Sequence, residues 1–385
     1  MKYILTSKTQ MIYNKILYQI QSCKNFANVK IGDLGGYVEK ENNLSQHDNC
    51  WVCGNALVYG KARVCDNAQV YGDAHIYGNT RICGNAQVYD NTRICGKARV
   101  CGDAQVYDNA QVYDNAQVYG NAHIYGNAQV YDNAQVYDNA QVYGDAHIYG
   151  KARVCDNAQV YDNAQVYGNA LLCGDAHVYG NALLCGDAHV YGNALLCDNA
   201  QVYDNTRICG KARVCGDARI CGKARVCGNA LVYGNAQVYD NAQVYGNAHV
   251  YGNALLCGNA QVYDNTCICG KARICDNARI CDNAHIRGDA HICGDARICG
   301  DAQVCGDIFY ITPLYIQGSK HNLTLSSHTT ITIGCKTKTF DEWLTTYKEI
   351  GHYETYTDDE IIEYKEYIDF IIKSVNRYTL HHKIN

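Results

Sequence analysis

Four kinds of reactive side chain recur along this chain at multiples of six residues. Eight histidines, His75, His123, His147, His177, His189, His249, His285 and His291, occupy one slot of a six-residue word and could serve as general bases. Two slots later stand 20 of the 24 cysteines, sharing that place with 22 tyrosines and Arg287. Thiols can ligate metals, and phenols can line a contact surface. Arginines such as Arg63, Arg81 and Arg99 share the histidine slot at 18-residue intervals and could meet phosphate.

Each chemistry is then weighed by its surroundings. His147 lies in GDAHIYG, and His75 lies in the same seven letters. A catalytic site is a unique place, so a repeated word is a poor one, and no catalytic residue is assigned. Cys65, Cys83 and Cys101 stand 18 apart and would form a straight column, whereas structural zinc needs four converging donors. No metal site is expected, and the thiols are read as mostly reduced and not as a disulfide framework. The arginines have Lys61 and Lys97 beside them, but the formal net charge is −5 and Asp is interleaved throughout. An ordinary solvated face is expected, and nucleic acid is not an expected partner. The tyrosines Tyr71, Tyr89, Tyr107, Tyr125, Tyr143, Tyr161 and Tyr179 are spaced by 18 and should make one aromatic stripe, the candidate contact surface.

The element that positions all of these is the six-residue word itself. Residues 48–305 are 43 consecutive units without insertion or deletion. Each reads Gly/Asp, Asn/Asp/Lys, Ala, Gln/Arg/His/Leu, Val/Ile/Leu, Tyr/Cys, with Cys50, Thr80, Thr92, Thr206 and Thr266 replacing Ala, Trp51 and Cys267 in the fourth slot, and Arg287 in the sixth. In a strand, side chains alternate faces, so Ala and the aliphatic residue share one face. Arginine is not buried unpaired, so the Ala/aliphatic face must point inward. Gly-Asn and Asp-Asn supply corners that tolerate left-handed backbone. The chain's single proline, Pro313, lies outside the repeat, as a continuous backbone ladder requires. Every unit that opens with Asp continues with Asn, which keeps two carboxylates from sharing a corner. The permitted exchanges, Tyr/Cys, Asp/Gly, Gln/Arg and Val/Ile among them, can each arise by one A–G change. Recent expansion of an 18-nucleotide unit is therefore hypothesised. Sixth-slot codons that mix TAT/TGT with TAC/TGC freely would count against it.

The word VYGNAQ resembles the hexapeptide repeat of left-handed β-helix proteins, over about two thirds of the chain. The resemblance implies a triangular prism, here an all-β solenoid of about 14 coils of 18 residues, in which Tyr or Cys takes the place of the family's usual small or acidic residue. The best-known relatives are acyltransferases with a histidine base, a thioester donor such as acetyl-CoA, and a trimeric assembly. They interrupt their coils with a loop that shapes the acceptor site, and no loop breaks the phase here.

The flanks are not repetitive. Residues 1–47, with VKIGDLGGYVEKENNLS, read as a β-rich cap. Residues 306–385 begin with IFYITPLYI, NLTLSS and TTITIGC, then continue through two capping boxes, Thr339/Glu342 and Thr357/Glu360, into two helices. This predicts a small α+β domain that could close the other end of the solenoid. GDLGGYVEKENNLS and ITIGCKTKTFDEWL also resemble the flanks of bacterial and prophage-associated hexapeptide-repeat proteins, often labelled transferases. The first 21 residues contain no long apolar run, so neither signal peptide nor membrane helix is expected, and a cytoplasmic chain is the default. The expected function is non-enzymatic: a rigid scaffold that contacts a protein partner or another copy, as a trimer if the resemblance extends that far, without cofactor or membrane. An acyltransferase or acetyltransferase using a thioester, and a filament-forming protein, are the alternatives.

Overall fold

A computed structural model describes residues 1–305, 308–309 and 313–382 of the 385-residue chain. It divides into two compact units, residues 1–210 and 211–385.

In the first unit each hexad contributes a two-residue strand made of its fourth and fifth slots, such as Gln105–Val106, Gln111–Val112 and Gln117–Val118. Strands three hexads apart pair in parallel and in register, so Gln105 lies against Gln87 and His123, and Gln111 against Arg93 and Gln129. Three sheets result, one per face, and the fold is the left-handed parallel β-helix that the hexad word implies. The third and fifth slots fill its axis: Ala104, Val106, Ala110, Val112, Ala116 and Val118 are all fully buried. Adjacent coils are tied by backbone bonds, such as Gln105 N–H to Ala122 O and Tyr107 N–H to Ile124 O, at 2.9 and 3.0 Å. The first slot of each word takes positive φ, for example Gly150 at +72° and Asp156 at +58°, which explains why only Gly and Asp occur there. Where Thr replaces Ala it stays buried, and the hydroxyls of Thr80 and Thr92 donate to Tyr77 O and Tyr89 O at 2.6 Å. Thr206 Oγ1 is buried without such a bond.

The N-terminal cap covers the top of each face. Strands Tyr3–Ile12 and Lys15–Ser22 form a hairpin, and Lys15–Ser22 pairs antiparallel with Leu34–Val38. Val38 then pairs in parallel with Val58, and Leu44 bridges Val64. The third face starts at Trp51, whose ring meets Tyr3 and Phe26 edge-on at 6.3 and 5.4 Å. Trp51 can therefore be buried in a slot that elsewhere carries Gln, Arg, His, Leu or Cys. Lys2 is also buried there, and its Nζ donates to His47 O, Cys50 O and Cys50 Sγ at 3.1, 2.8 and 3.2 Å. Burial lowers its pKa.

The second unit opens with the same three-faced coil, with Leu231 paired to Arg213 and His249, and Gln243 to Arg225 and Gln261. After it comes an antiparallel sheet of Tyr315–Gln317, Asn322–Leu325, Thr330–Ile333 and Lys336–Thr339. Of the predicted segment IFYITPLYI, residues Tyr310, Ile311 and Thr312 lie outside the described residues. Two helices follow, α1 (Phe340–Tyr353) and α2 (Asp358–His382). Both capping boxes form: Thr339 N–H donates to Glu342 Oε2 at 2.8 Å and Thr357 N–H to Glu360 Oε2 at 2.7 Å. Trp343 Nε1 donates to Ile331 O at 2.7 Å and pins α1 to the sheet. Ile361, Tyr364, Ile368 and Ile371 form the buried stripe of α2. On α1 Trp343 is buried, while Leu344 is exposed. Among the described residues, no helix is long and apolar enough to cross a membrane.

Candidate functional site

The tyrosine slot faces outward at the end of each strand, and in-register pairing puts rings of successive coils above one another. Tyr107, Tyr125, Tyr143, Tyr161 and Tyr179 form a continuous stack, with centroids 4.8 to 5.0 Å apart and planes within 5° of parallel. Tyr71 and Tyr89 form a separate stacked pair at 5.0 Å, and the Tyr89 hydroxyl is bonded to Gln87 Oε1. All seven residues are half-buried, and within each stack the ring faces cover one another. A second column, Tyr113, Tyr131, Tyr149 and Tyr167, stacks in the same way on a neighbouring face. Burial, followed by the adjacent phenols, pushes the pKa values of Tyr113 and Tyr143 up to about 12.

Corner residues of the second slot build a further ladder that hexad periodicity alone did not reveal. Asn121 Nδ2 donates to Asn139 Oδ1, Asn139 to Asn157, and Asn157 to Asp175, at 3.0, 3.1 and 2.9 Å. A carboxylate accepts but cannot donate, so each such run ends at an Asp. Asp in the first slot accepts differently: Asp132 Oδ2 takes the Gly150 N–H and Asp156 Oδ2 the Gly174 N–H, at 3.1 and 3.0 Å. The signal that could have found both ladders is the pairing of corner letters 18 residues apart.

The histidines are not gathered. His147 is flanked by Gln129 and Gln165 and His123 by Gln105 and Gln141, whereas His75 lies between Leu57 and Arg93. Burial and the Arg93 charge lower the pKa of His75. Arg63, Arg81 and Arg99 do stack in register, exposed. Some thiols are paired: Cys83 is joined to Cys101, and Cys281 to Cys299. In-register stacking explains this, because the Cα atoms of these pairs stand 4.6 and 4.7 Å apart, within disulfide reach.

The C-terminal domain contains a cavity of about 50 Å³ bounded by Trp343, Ile361, Tyr364 and Ile368, room for a water or two rather than a coenzyme. A shallower polar cleft, about 220 Å³, is lined by Asp301, Gln303, Lys320, His321, Asn322 and Thr324.

Three faces of parallel two-residue strands, an Ala/aliphatic axis and Gly/Asp corners define a hexapeptide-repeat β-helix protein. Within that class, nine segments match the family model described as "YdcK Beta solenoid repeat": residues 104–120, 110–126, 116–132, 128–144, 134–150, 158–174, 224–240, 236–252 and 242–258. No curated protein matches by sequence. Among solved structures, the chain is similar to the UDP-N-acetylglucosamine acyltransferase of Francisella novicida, at 15% identity over 60% of this chain and 77% of that one, with a TM-score of 0.23. It is also similar to the UDP-N-acetylglucosamine O-acyltransferase of Moraxella catarrhalis, at 14% identity over 63% and 96%, with a TM-score of 0.22. Likeness at this level carries no argument about activity.

Proposed function

We propose that this chain is a non-enzymatic scaffold that presents a stacked tyrosine line to a protein partner or to a second copy of itself. The observation that supports this reading is the unbroken register of Tyr107, Tyr125, Tyr143, Tyr161 and Tyr179. Stacking has already fixed these rings, so little side-chain freedom remains to be lost on contact. Tyrosine combines apolar area with a polar tip, and the line presents both at each coil spacing. No inserted loop interrupts the hexads of residues 48–305, and His75, His123 and His147 are not gathered into one place, so acyl transfer gains no specific support.

A photo-crosslinking residue at Tyr143 tests the proposal in the intact chain, alongside sedimentation at increasing concentration. Expected is crosslinking to a second protein or to another copy, abolished by Tyr125→Lys combined with Tyr161→Lys. Crosslinks that stay within the chain, together with a single species at every concentration, would refute it. So would a thermal shift with acetyl-CoA accompanied by transfer to a sugar acceptor.

A further inference from the structure

We propose that Cys155, Asp156 and Cys173 form a binding site for a thiophilic divalent cation, of the zinc or cadmium class. Cys155 and Cys173 hold the same slot on successive coils. Their two sulfurs and a carboxylate oxygen of Asp156 lie within 4.8 Å of one another. A tetrahedral ion with metal–sulfur bonds of about 2.3 Å wants its sulfurs about 3.8 Å apart, which small side-chain rotations supply. The carboxylate is held in place: Asp156 takes φ +58°, and its Oδ2 accepts the Gly174 N–H at 3.0 Å. Cys155 is buried, Cys173 is half-buried and Asp156 is exposed, so the three donors form a corner with one side facing solvent. Three protein ligands with a fourth position for water is the usual arrangement of an open zinc site. The Arg153 guanidinium, bonded to Tyr137 Oη at 2.7 Å, lies near both thiols and offsets part of the negative charge of the donor set.

A straight thiol column does not converge on an ion. The aspartate does what the column cannot, because it enters from the corner beside the first sulfur. The sequence repeats this arrangement. Cys-Asp occurs at 65–66, 155–156, 197–198, 275–276 and 281–282, and in every case the residue 18 after the cysteine is Cys, followed by Gly. Fewer than half of the sixth slots carry Cys, so slot composition does not account for five coincidences in five. The aspartate clamp recurs as well, with Gly84 N–H on Asp66 and Gly294 N–H on Asp276 at 2.9 and 3.0 Å. Disulfides occupy Cys83, Cys197, Cys215 and the Cys281–Cys299 pair, whereas Cys155 and Cys173 are free thiols.

The test uses the full chain, reduced, with and without cadmium, and measures alkylation of each cysteine by peptide mapping. Cys155 and Cys173 should alkylate severalfold more slowly with cadmium, because a thiolate held by the metal is not free to attack the reagent. Cys185, stacked on Tyr167, should not change. Asp156→Asn should lose most of the protection with unchanged circular dichroism, and Asp162→Asn, at an equivalent corner beside a tyrosine, should keep it. Equal protection in Asp156→Asn and wild type would overturn the site, as would unprotected thiols or recovery of Cys155 and Cys173 as a disulfide.

Discussion

Asn322 Nδ2 donates to Asp301 Oδ2 at 3.0 Å, while Asp301 Oδ1 accepts from Asn283 at the same distance. Asp301 thus ends an amide run that begins at Asn229 and passes through Asn247 and Asn265, and the C-terminal domain supplies its last donor. Gln303 N–H adds a second tie, to Thr324 Oγ1 at 3.3 Å. The domain therefore docks on the final coil through the corner chemistry that joins coil to coil.

Removing Asp301 should loosen this docking more than removing Asn322, because Asp301→Ala orphans two amide donors and Asn322→Ala only one acceptor. For bonds at an exposed corner the cost is about 0.5–1.5 kcal/mol each. Limited proteolysis after residue 305 should accelerate in the order wild type, Asn322→Ala, Asp301→Ala. Equal rates in all three would show that apolar packing alone seats the domain.

Converting a ladder asparagine beside its terminal carboxylate should produce acid-reversible destabilisation. Asn157→Asp replaces the amide that donates to Asp175 with a second carboxylate. The like-charge contact raises the folded-state pKa of the pair, so the penalty is full at neutral pH and fades as pH falls through those values. Thermal melts of wild type and variant should differ at pH 7 and converge near pH 4. Asn139→Asp loses one donor without facing a carboxylate, so its smaller deficit should vary less with pH.

Thr206→Ala should stabilise the first unit by about 1 kcal/mol, because it removes a buried hydroxyl that lacks a hydrogen bond and restores the usual residue of the slot. Thr92→Ala removes a hydroxyl bonded to Tyr89 O and should be neutral to destabilising. Chemical denaturation checks both, and a Thr206→Ala melt below wild type would reject the expectation.

Alkaline titration should ionise the stacked phenols late. Tyr113 and Tyr143 are raised to about 12 in the fold, against about 10 in the unfolded chain. A raised folded pKa gives a contribution that is complete below pH 10 and lost as pH climbs toward 12. Phenolate absorbance should therefore rise together with unfolding, and native chains showing independent ionisation near pH 10 would contradict the coupling.

Much of this was legible in the letters. Ala104 and Val106 had to face inward because the alternating partners, Arg among them, could not. Thr339/Glu342 and Thr357/Glu360 announced both helix starts through local chemistry alone. Other features were hidden because they depend on what lies one coil away. Nothing near Cys83 in sequence says that it bonds Cys101, and Asn322 gives no sign of Asp301 until the final coil brings them together. Trp51 and Lys2 were hidden for another reason, since their burial follows from the cap and not from the repeat.

The axis of the first unit takes the same Ala and aliphatic letters from all three faces. Loss of one hexad by a replication slip would leave that axis filled and its backbone paired, yet everything downstream would turn by a third of a revolution. With the hexad lost between Tyr125 and Tyr143, Tyr143 would sit in the column of Tyr119 and not that of Tyr125. Loss of three hexads would shorten the coil and leave every column intact. Its interior therefore tolerates errors of six residues, while its outer columns tolerate only errors of eighteen.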